Sequence, residues 1–584
     1  MILKNDTSKS VFWSAVSTLT ATITRSFRAM IITLILSMFS PWGTEYSTAK
    51  DDDKKPINIL FILTDNQPPS TIGCYGNKEI YTPNIDRLAA EGIQFQNAFA
   101  CNGMCSPTRA SIMTALMPSQ HGVHTQLSDQ LQKEWPKNWC SVSEFRTLPQ
   151  TLSDAGYQTA LIGKYHLGIP DKPHLKFDDW VTFPDGHTWC FYGNEIIDNG
   201  RTYRHEGHLT DFWTKKAVEY IESYDGKKPF FIYLAYDAPY SLPPSISGPA
   251  KNRFAGMYEG KEMKYSPQMA MNKMMMEYML KSEEYYGSAH ANWIKTLNDT
   301  LNDQDSIRNL ASQVTLVDDG VGKVLEALKK KGLDENTLVV FTSDQGIAYG
   351  QKGFWGQTEN SIPSNLYETP MSVPLIFRHK DHIPTGQKTD MLVNDYDLFP
   401  TILGYAGLGY VKIANTPGKD ITPLLKGGKT AWDRDAIFME QEVTRAIRTD
   451  EWKYIKRCPV VVEKLFSKEE ELSKDALLAL GKYPNFEMVI GMFAPPSYGD
   501  ELYNIKRDPG ETENLASDPK YAKVKDELGK RLTDFFDKYS DPKYDLWKGG
   551  TVKSNSNVEY IWKKIWPGWK PLTDPVERPF SDKK

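Results

Sequence analysis

Short, almost uninterrupted apolar runs alternate along this chain with longer stretches of helical hydrophobic period. The first run, residues 57–63, reads Ile-Asn-Ile-Leu-Phe-Ile-Leu and is followed by Thr64-Asp65. A strand of this kind is buried on both faces, which is typical of a parallel sheet covered by helices. Further strands are predicted at residues 157–162, 230–235 and 338–342. The alternation predicts an α/β fold with a large, mostly parallel central sheet flanked by helices.

The predicted helices lie between these strands. They are expected at residues 84–91, 147–154, 209–224 and 314–331. Gly92, Gly156 and Gly332 stand where three of them should end, and glycine is the residue that most often terminates a helix.

The 584 residues fit one large domain and one smaller domain. We predict the large α/β domain at residues 56–430, with an insertion at 241–305 where the alternation breaks. After about residue 430 the pattern changes to a strand pair at 446–457 and an amphipathic helix at 520–539. These indicate a smaller carboxyl-terminal α+β subdomain with an antiparallel sheet at 431–560, followed by a tail at 561–584.

The amino terminus has the features of a targeting segment. Arg25 and Arg28 precede an apolar run at 29–39, and the small residues Ser47 and Ala49 follow it. The run has the length of a signal-peptide core and is shorter than the roughly 20 residues that cross a bilayer. We therefore predict a signal peptide at 1–49, a linker at 50–55, and export to the periplasm or beyond. The alternative is a buried or disordered tail. No membrane-spanning helix is predicted elsewhere.

Composition excludes several classes of protein. Lys plus Arg number 69 against 74 Asp plus Glu, a net charge of −5, so a chain-wide basic surface for nucleic acid is excluded. Six cysteines are too few for a disulfide scaffold of this length, and we assign no disulfide among them. With 40% hydrophobic residues the chain can form a large core.

Two aspartates each end an apolar strand about 280 residues apart, Asp65 and Asp344, and each has an amide neighbour, Asn66 and Gln345. Ligands of such sheets bind at the carboxyl ends of the strands. Carboxylate and amide oxygens suit a hard cation such as calcium. The alternative for a single such aspartate is a helix or turn cap.

Cys105-Ser106-Pro107-Thr108-Arg109 precedes an apolar stretch and indicates a loop that enters a helix. A helix amino terminus favours anionic groups, and Arg109 adds a positive charge. The alternative, which these five residues alone favour, is a buried cysteine with a capping arginine. Lys164 and His166 are two residues apart, so on an extended segment they would share a face and offer a cation beside a titratable group. Surface charges at a strand end are the alternative.

The Cys-x-Pro-x-Arg pattern resembles the signature of type I, formylglycine-dependent sulfatases, which have the alkaline phosphatase superfamily fold. Further segments resemble the same family in the same order, over nearly all of residues 56–540. They are residues 56–65, 81–88, 163–168, 343–346, 367–376 and 501–515.

The resemblance implies an activity and a role for each matched residue. A maturation enzyme would convert Cys105 to formylglycine (3-oxoalanine), the nucleophile towards a sulfate ester, and Arg109 would hold it. Lys164 and His166 would contact the nucleophile or the sulfate, with His166 assisting proton transfer. A calcium ion would be bound by five residues: Asp65, Asn66, Cys105, Asp344 and Gln345.

The chain departs from the family pattern at three positions. Family members commonly carry a second aspartate where this chain has Asn66, a histidine where it has Tyr240, and a lysine where the best match is Gln357. We predict that Tyr240 and Gln357 contact substrate.

The predicted function is therefore an exported sulfatase that acts on a sulfated carbohydrate, such as ulvan or carrageenan oligosaccharides in polysaccharide degradation. Two alternatives remain open at this stage. One is a phosphate or phosphonate ester hydrolase on the same fold. The other is a catalytically impaired protein that binds sulfated glycans.

Overall fold

The computed structural model describes residues 56–127, 138–186, 188, 190–270, 296–361, 364–427, 433–460, 499–553, 566 and 568. The predicted signal peptide and linker lie outside the described residues, as do part of the predicted insertion and most of the predicted tail. The boundary between the two predicted domains falls at residues 428–432, which are also outside them, so the division stays a prediction.

One large sheet contains ten strands. They are β1 (Asn58–Thr64), β2 (Ile93–Phe95), β4 (Gln158–Gly163), β5 (Asp179–Thr182), β6 (Asn194–Asp198), β7 (Arg201–His205), β8 (Phe230–Ala235), β9 (Thr337–Ser343), β12 (Leu375–Arg378) and β13 (Gln387–Thr389). Two small ladders accompany them, β3 (Ala98–Phe99) with β14 (Val393–Asn394), and β10 (Ala348–Tyr349) with β11 (Trp355–Gly356).

The strands run in the order β13-β2-β12-β9-β1-β8-β4-β5-β6-β7. The central strands β9, β1, β8, β4 and β5 are parallel, whereas β12, β6 and β7 pair antiparallel to their neighbours, so the sheet is mixed towards its edges. In register, Leu63 lies opposite both Ala235 and Thr342, and Gly163 lies opposite Ala235. The central strands therefore end level with one another, and the residues that follow them meet at one edge.

Helices cover both faces of this sheet. The helices of the described residues are α1 (Pro83–Ala90), α2 (Cys105–Thr114), α3 (Pro118–His121), α4 (Leu148–Asp154), α5 (Leu209–Ser223), α6 (Ala255–Tyr258), α7 (Gln304–Lys330), α8 (Glu368–Met371), α9 (Leu398–Tyr405), α10 (Thr422–Leu425) and α11 (Ala522–Tyr539). The last of these, α11, packs on a second sheet. Alternate residues of β1 enter opposite cores, with Phe61 on one side and Leu60 and Ile62 on the other. This two-sided burial explains the continuous apolar run and confirms the predicted α/β fold.

Helix α7 starts ten residues before its predicted beginning. Asp303 caps it, because its carboxylate accepts from the backbone N–H groups of Asp305 and Ser306. Ile307 and Leu310 then extend the buried face of the helix towards its amino terminus. The prediction missed this first part because it counted only the apolar residues after 314.

A separate four-stranded antiparallel sheet follows near the carboxyl terminus. Its strands are β15 (Ala436–Gln441), β16 (Thr444–Thr449), β17 (Trp452–Arg457) and β18 (Glu501–Asn504). Helix α11 packs on it through Leu528, Leu532 and Phe536, in a core that also contains Met117 and Tyr396. The small sheet therefore shares its core with the larger part of the molecule. Among the described residues, no helix is both long enough and apolar enough to cross a membrane.

Candidate active site

Three charged residues follow three of the parallel central strands, at the carboxyl edge of the large sheet. Asp65 follows β1, Asp344 follows β9 and Lys164 follows β4. Their backbone N–H groups continue the ladder: Asp65 donates to Ala238 O at 3.1 Å, Asp344 to Thr64 O at 3.0 Å and Lys164 to Ala235 O at 2.8 Å. The sheet thus fixes where each side chain leaves the backbone.

Cys105 is the first residue of α2 and enters the same space. Its Sγ lies 3.5 Å from Asp65 Oδ1 and accepts from Gln345 Nε2 at 3.2 Å. Burial, reinforced by Asp65, raises the pKa of the Cys105 thiol to about 12, and Lys164 offsets only part of this. An unmodified thiol is therefore protonated at neutral pH and is a poor nucleophile.

Arg109, one turn along α2, bridges the two aspartates. Its Nη2 donates to Asp344 Oδ2 at 2.8 Å and to Asp65 Oδ2 at 3.2 Å, and its Nη1 donates to Lys164 O at 2.8 Å. Burial opposes the charged guanidinium, but the attraction of Asp344 and Asp65 outweighs burial and raises the pKa of Arg109. Arg109 is therefore a permanent, fully buried cation.

Lys164 adds a third buried ion pair to this cluster, from Nζ to Asp65 Oδ2. Burial opposes its charge, but Asp65 more than compensates and raises the pKa of the Lys164 ammonium. Nζ also lies 5.3 Å from the centroid of the Tyr240 ring, within the range of a cation–π contact. Tyr240 is therefore at the margin of the cluster, next to a cation.

Ligand atoms of Asp65, Cys105 and Asp344 all lie within 4.8 Å of one another, and all three residues are buried. Two converging carboxylates in a buried pocket are a suitable donor set for a hard divalent cation. Together they form a candidate buried metal site.

Three neutral amides complete this pocket. Asn66 Oδ1 accepts from both Gln345 Nε2 and Gln357 Nε2, each at 2.5 Å, and Gln357 Nε2 lies 3.8 Å from Cys105 Sγ. Gln345 Oε1 is buried and has no hydrogen-bond partner. An unsatisfied amide oxygen beside two carboxylates fits the donor chemistry of an oxygen-ligated cation, so the residues present are compatible with one.

The structure brings eight predicted site residues together: Asp65, Asn66, Cys105, Arg109, Lys164, Asp344, Gln345 and Gln357. His166 lies just beyond Lys164 and is buried, with Nε2 2.9 Å from Leu127 O. Lys164 and His166 would share a face only if the segment that carries them were extended. Strand β4 ends at Gly163, and the positive φ of 52° at His166 shows that the segment turns.

Asp237 escaped the sequence analysis although it follows strand β8 at the same edge. Its Oδ1 accepts from Trp213 Nε1 at 3.0 Å, while its Oδ2 is buried without a partner. Burial raises the pKa of Asp237 to about 7, and the nearby Lys164 lowers it in part. The rule that identified Asp65, a carboxylate just after an apolar strand, applies to Asp237 and would have found it.

Comparison with known proteins shows which family has this arrangement. A family model described as Sulfatase matches residues 57–408, more than half of the chain. The chain belongs to the sulfatase family. It is accordingly a sulfuric ester hydrolase, as the motif resemblance predicted, and the predicted roles of individual site residues stay predictions.

Several named relatives of this sulfatase are similar over most of their length. An N-acetylglucosamine-6-O-sulfatase of Bacteroides thetaiotaomicron is 27% identical over 84% of this chain and 88% of its own. The human N-acetylgalactosamine-6-sulfatase is 28% identical over 67% and 70%, respectively. Among solved structures, BT4656 in complex with its substrate D-glucosamine-2-N,6-O-disulfate matches 84% of this chain and 99% of its own, with 24% identity and a TM-score of 0.62.

Proposed function

We propose that this sulfatase removes sulfate from a sulfated carbohydrate, with formylglycine at position 105 as nucleophile and a bound calcium ion. The convergence of the Cys105, Asp65 and Asp344 ligand atoms within 4.8 Å carries the proposal. As the substrate, the names of the relatives above favour a 6-O-sulfated hexosamine over ulvan or carrageenan oligosaccharides. The presence of a leader-like segment at 1–49 supports export, to the periplasm or outside the cell.

The surroundings of Cys105 support the proposal that this residue is modified. The pKa of the thiol is raised to about 12, so a thiolate is disfavoured, and direct attack by sulfur is unfavourable. A maturation enzyme that oxidises the side chain would replace it by an aldehyde. In the hydrate of formylglycine, one hydroxyl would attack sulfur and expel the alcohol of the ester. Deprotonation of the second hydroxyl would then let the hydrate collapse to the aldehyde, with cleavage of the C–O bond and release of sulfate.

The chain's own residues would hold the anionic substrate and move protons. Arg109 and Lys164 are fixed cations, which offset the repulsion between a sulfate group and a negatively charged nucleophile. Tyr240 and Gln357 would contact substrate oxygens, and His166 would accept and return a proton. The ion pairs that position Arg109 and Lys164 are already formed in the structure without substrate.

The same pocket would hold the cation. Asp65 and Asp344 would provide carboxylate oxygens, and Asn66 and Gln345 amide oxygens. When bound there, calcium supplies positive charge next to the sulfate oxygens and lowers the pKa of a neighbouring hydroxyl.

The first test is the mass of the peptide that contains Cys105, after co-expression with a formylglycine-generating enzyme. We expect the aldehyde mass, and free sulfate release from 6-O-sulfated N-acetylglucosamine or N-acetylgalactosamine oligosaccharides. The Cys105→Ala variant should fold and release no sulfate. An unmodified thiol with tight glycan binding would instead favour the impaired, binding-only alternative.

To determine the substrate class, release of sulfate or phosphate is compared between esters that differ only in the sugar or only in the ester group. Sulfate release should be faster from the 6-O-sulfated amino sugars than from ulvan or carrageenan oligosaccharides. It should also exceed phosphate release from the corresponding phosphate ester. Faster phosphate release would support a phosphate or phosphonate ester hydrolase instead. Faster sulfate release from the algal oligosaccharides would make these, and not 6-O-sulfated hexosamines, the proposed substrates.

A further inference from the structure

The carboxyl-terminal sheet reaches the loop that precedes Cys105. At the end of β15, Glu440 N donates to Cys101 O at 2.8 Å, and Asn102 Nδ2 donates to Glu440 O at 2.7 Å. Asn102 in turn accepts from Met104 N at 2.9 Å, directly before Cys105. The small sheet is thus hydrogen-bonded to the segment that begins helix α2.

Gln441, the last residue of β15, spans two loops with one side chain. Its Nε2 donates to Met104 Sδ at 3.0 Å, and its Oε1 accepts from Thr358 Oγ1 at 3.0 Å. Met104 precedes Cys105, and Thr358 follows Gln357. Gln441 is fully buried, so water does not compete for either contact.

The two loops also touch directly. A Cβ placed on Gly103 would lie 2.1 Å from Thr358 Cγ2, so only glycine permits this approach. The Thr358 side chain against Gly103 sets the spacing on one side, and the Gln441 amide links the loops on the other. Both contacts involve residues within two positions of Cys105 or Gln357. The Nε2 atom of Gln357 and the Sγ atom of Cys105 lie 3.8 Å apart.

We propose that Gln441 is a positioning residue of the active site: it holds the loop that carries residue 105 in register with the loop that carries Gln357. It acts through Met104 and Thr358 and touches neither the nucleophile nor the substrate. Its effect on turnover rests on the proposed function, whereas its effect on loop geometry does not.

The test of geometry uses protein made without the maturation enzyme, so that Cys105 is a thiol. Its alkylation by iodoacetamide is followed by peptide mass spectrometry in the wild type and in Gln441→Ala. We expect Cys105 to react about tenfold faster in the variant, since one buried hydrogen-bonded link is lost. Two other buried cysteines are internal references. Cys458 belongs to the small-sheet region, where its N–H donates to Val443 O, and Cys140 belongs to the large domain.

Each outcome decides the proposal. Faster reaction at Cys105 with unchanged rates at Cys458 and Cys140 supports a positioning role. Unchanged reaction at Cys105, or equal acceleration at all three, overturns it, because Gln441 would then be irrelevant or merely stabilising. If Gln441→Ala does not fold, Thr358→Val should accelerate the reaction of Cys105 alone. Thr358→Ser keeps the hydroxyl that bonds Gln441 but loses the methyl that faces Gly103, and it should accelerate that reaction less.

Turnover provides the second arm, in the matured enzyme. Gln441→Ala should lower kcat/KM for sulfate release about tenfold. In a Gln357→Ala background the same substitution should have little further effect, because residues that act through one another are not additive. Full additivity would show that Gln441 does not act through the Gln357 loop. Absence of sulfate release from every variant, including the wild type, would refute the proposed function and leave the alkylation result intact.

Discussion

Arg109 donates two hydrogen bonds to one oxygen of Asp344, from Nε at 3.0 Å and from Nη2 at 2.8 Å. The other oxygen of Asp344 accepts the backbone N–H groups of Asn66 at 3.3 Å and Gln345 at 2.9 Å. Both side chains are fully buried. The orientation of the Asp344 carboxylate is therefore fixed by the guanidinium of Arg109 on one oxygen and by two backbone N–H groups on the other.

Replacement of this guanidinium by an ammonium tests the arrangement. Arg109→Lys keeps the charge, but lysine cannot donate to both aspartates and to Lys164 O from one rigid group. We expect kcat/KM for sulfate release to fall about a hundredfold. The free energy of unfolding should fall by about 3 kcal/mol, since a buried carboxylate loses its partner. Enzyme kinetics and denaturant unfolding measure the two effects.

A surface pair is the matched control. Arg146 donates to Asp154 at 2.9 Å, with the two side chains 47% and 36% exposed. Arg146→Lys should change the free energy of unfolding by less than about 0.5 kcal/mol and leave turnover unaltered. Wild-type activity in Arg109→Lys would show that only the charge of the residue matters.

The candidate metal site predicts stabilisation by calcium. A chelator should lower the melting temperature, and added calcium should restore it, because a ligand that binds only the folded state stabilises it. Asn66→Asp should bind calcium about tenfold more tightly, since a carboxylate replaces an amide oxygen. Asn199→Asp is the control, because Asn199 also has a positive φ, 48° against 59° at Asn66. Equal calcium midpoints in all three proteins would argue against Asn66 as a ligand.

Gln357 and Asn66 form a neutral pair, joined by the 2.5 Å contact from Nε2 to Oδ1. Gln357→Lys alone adds a positive charge beside the metal site and should weaken calcium binding about tenfold. The double variant Asn66→Asp/Gln357→Lys should recover most of that affinity, because the added charges neutralise each other. Calcium titrations of the melting temperature compare the four proteins. A double variant that binds calcium no more tightly than Gln357→Lys alone would mean that the two added charges do not offset each other.

The strand-end residues of the site were predictable from sequence, and the reason is geometric. Apolar runs identify buried strands, and neighbouring parallel strands end together, so Asp65 and Asp344 had to lie near each other. Cys105 and Arg109 followed from a local motif on one helix turn. The two aspartates are brought together by the sheet, and Cys105 and Arg109 are brought together by one turn of helix.

The contacts that surround the site were not predictable in this way. Glu440 and Asn102 are 338 residues apart in sequence. Nothing in the pattern of β15 specifies that the end of this strand faces the loop before Cys105. Gln441 was missed for the same reason. The turn at His166 was not predicted because a positive φ has no clear sequence signal at a non-glycine residue. The role of His166 stays a prediction.

Asp395, buried just after β14, predicts a pH dependence that involves no site residue. Burial raises the pKa of its carboxyl to about 8. Between about pH 4 and pH 8 the folded protein therefore holds a proton that the unfolded chain has released, so stability falls as pH rises, by at most about 1.4 kcal/mol per unit. Asp395→Asn cannot ionise, and its free energy of unfolding should fall less steeply over this range in denaturant titrations. The exposed Asp390→Asn should keep the wild-type slope. A wild-type slope in Asp395→Asn would mean that the carboxyl does not hold its proton in the folded state.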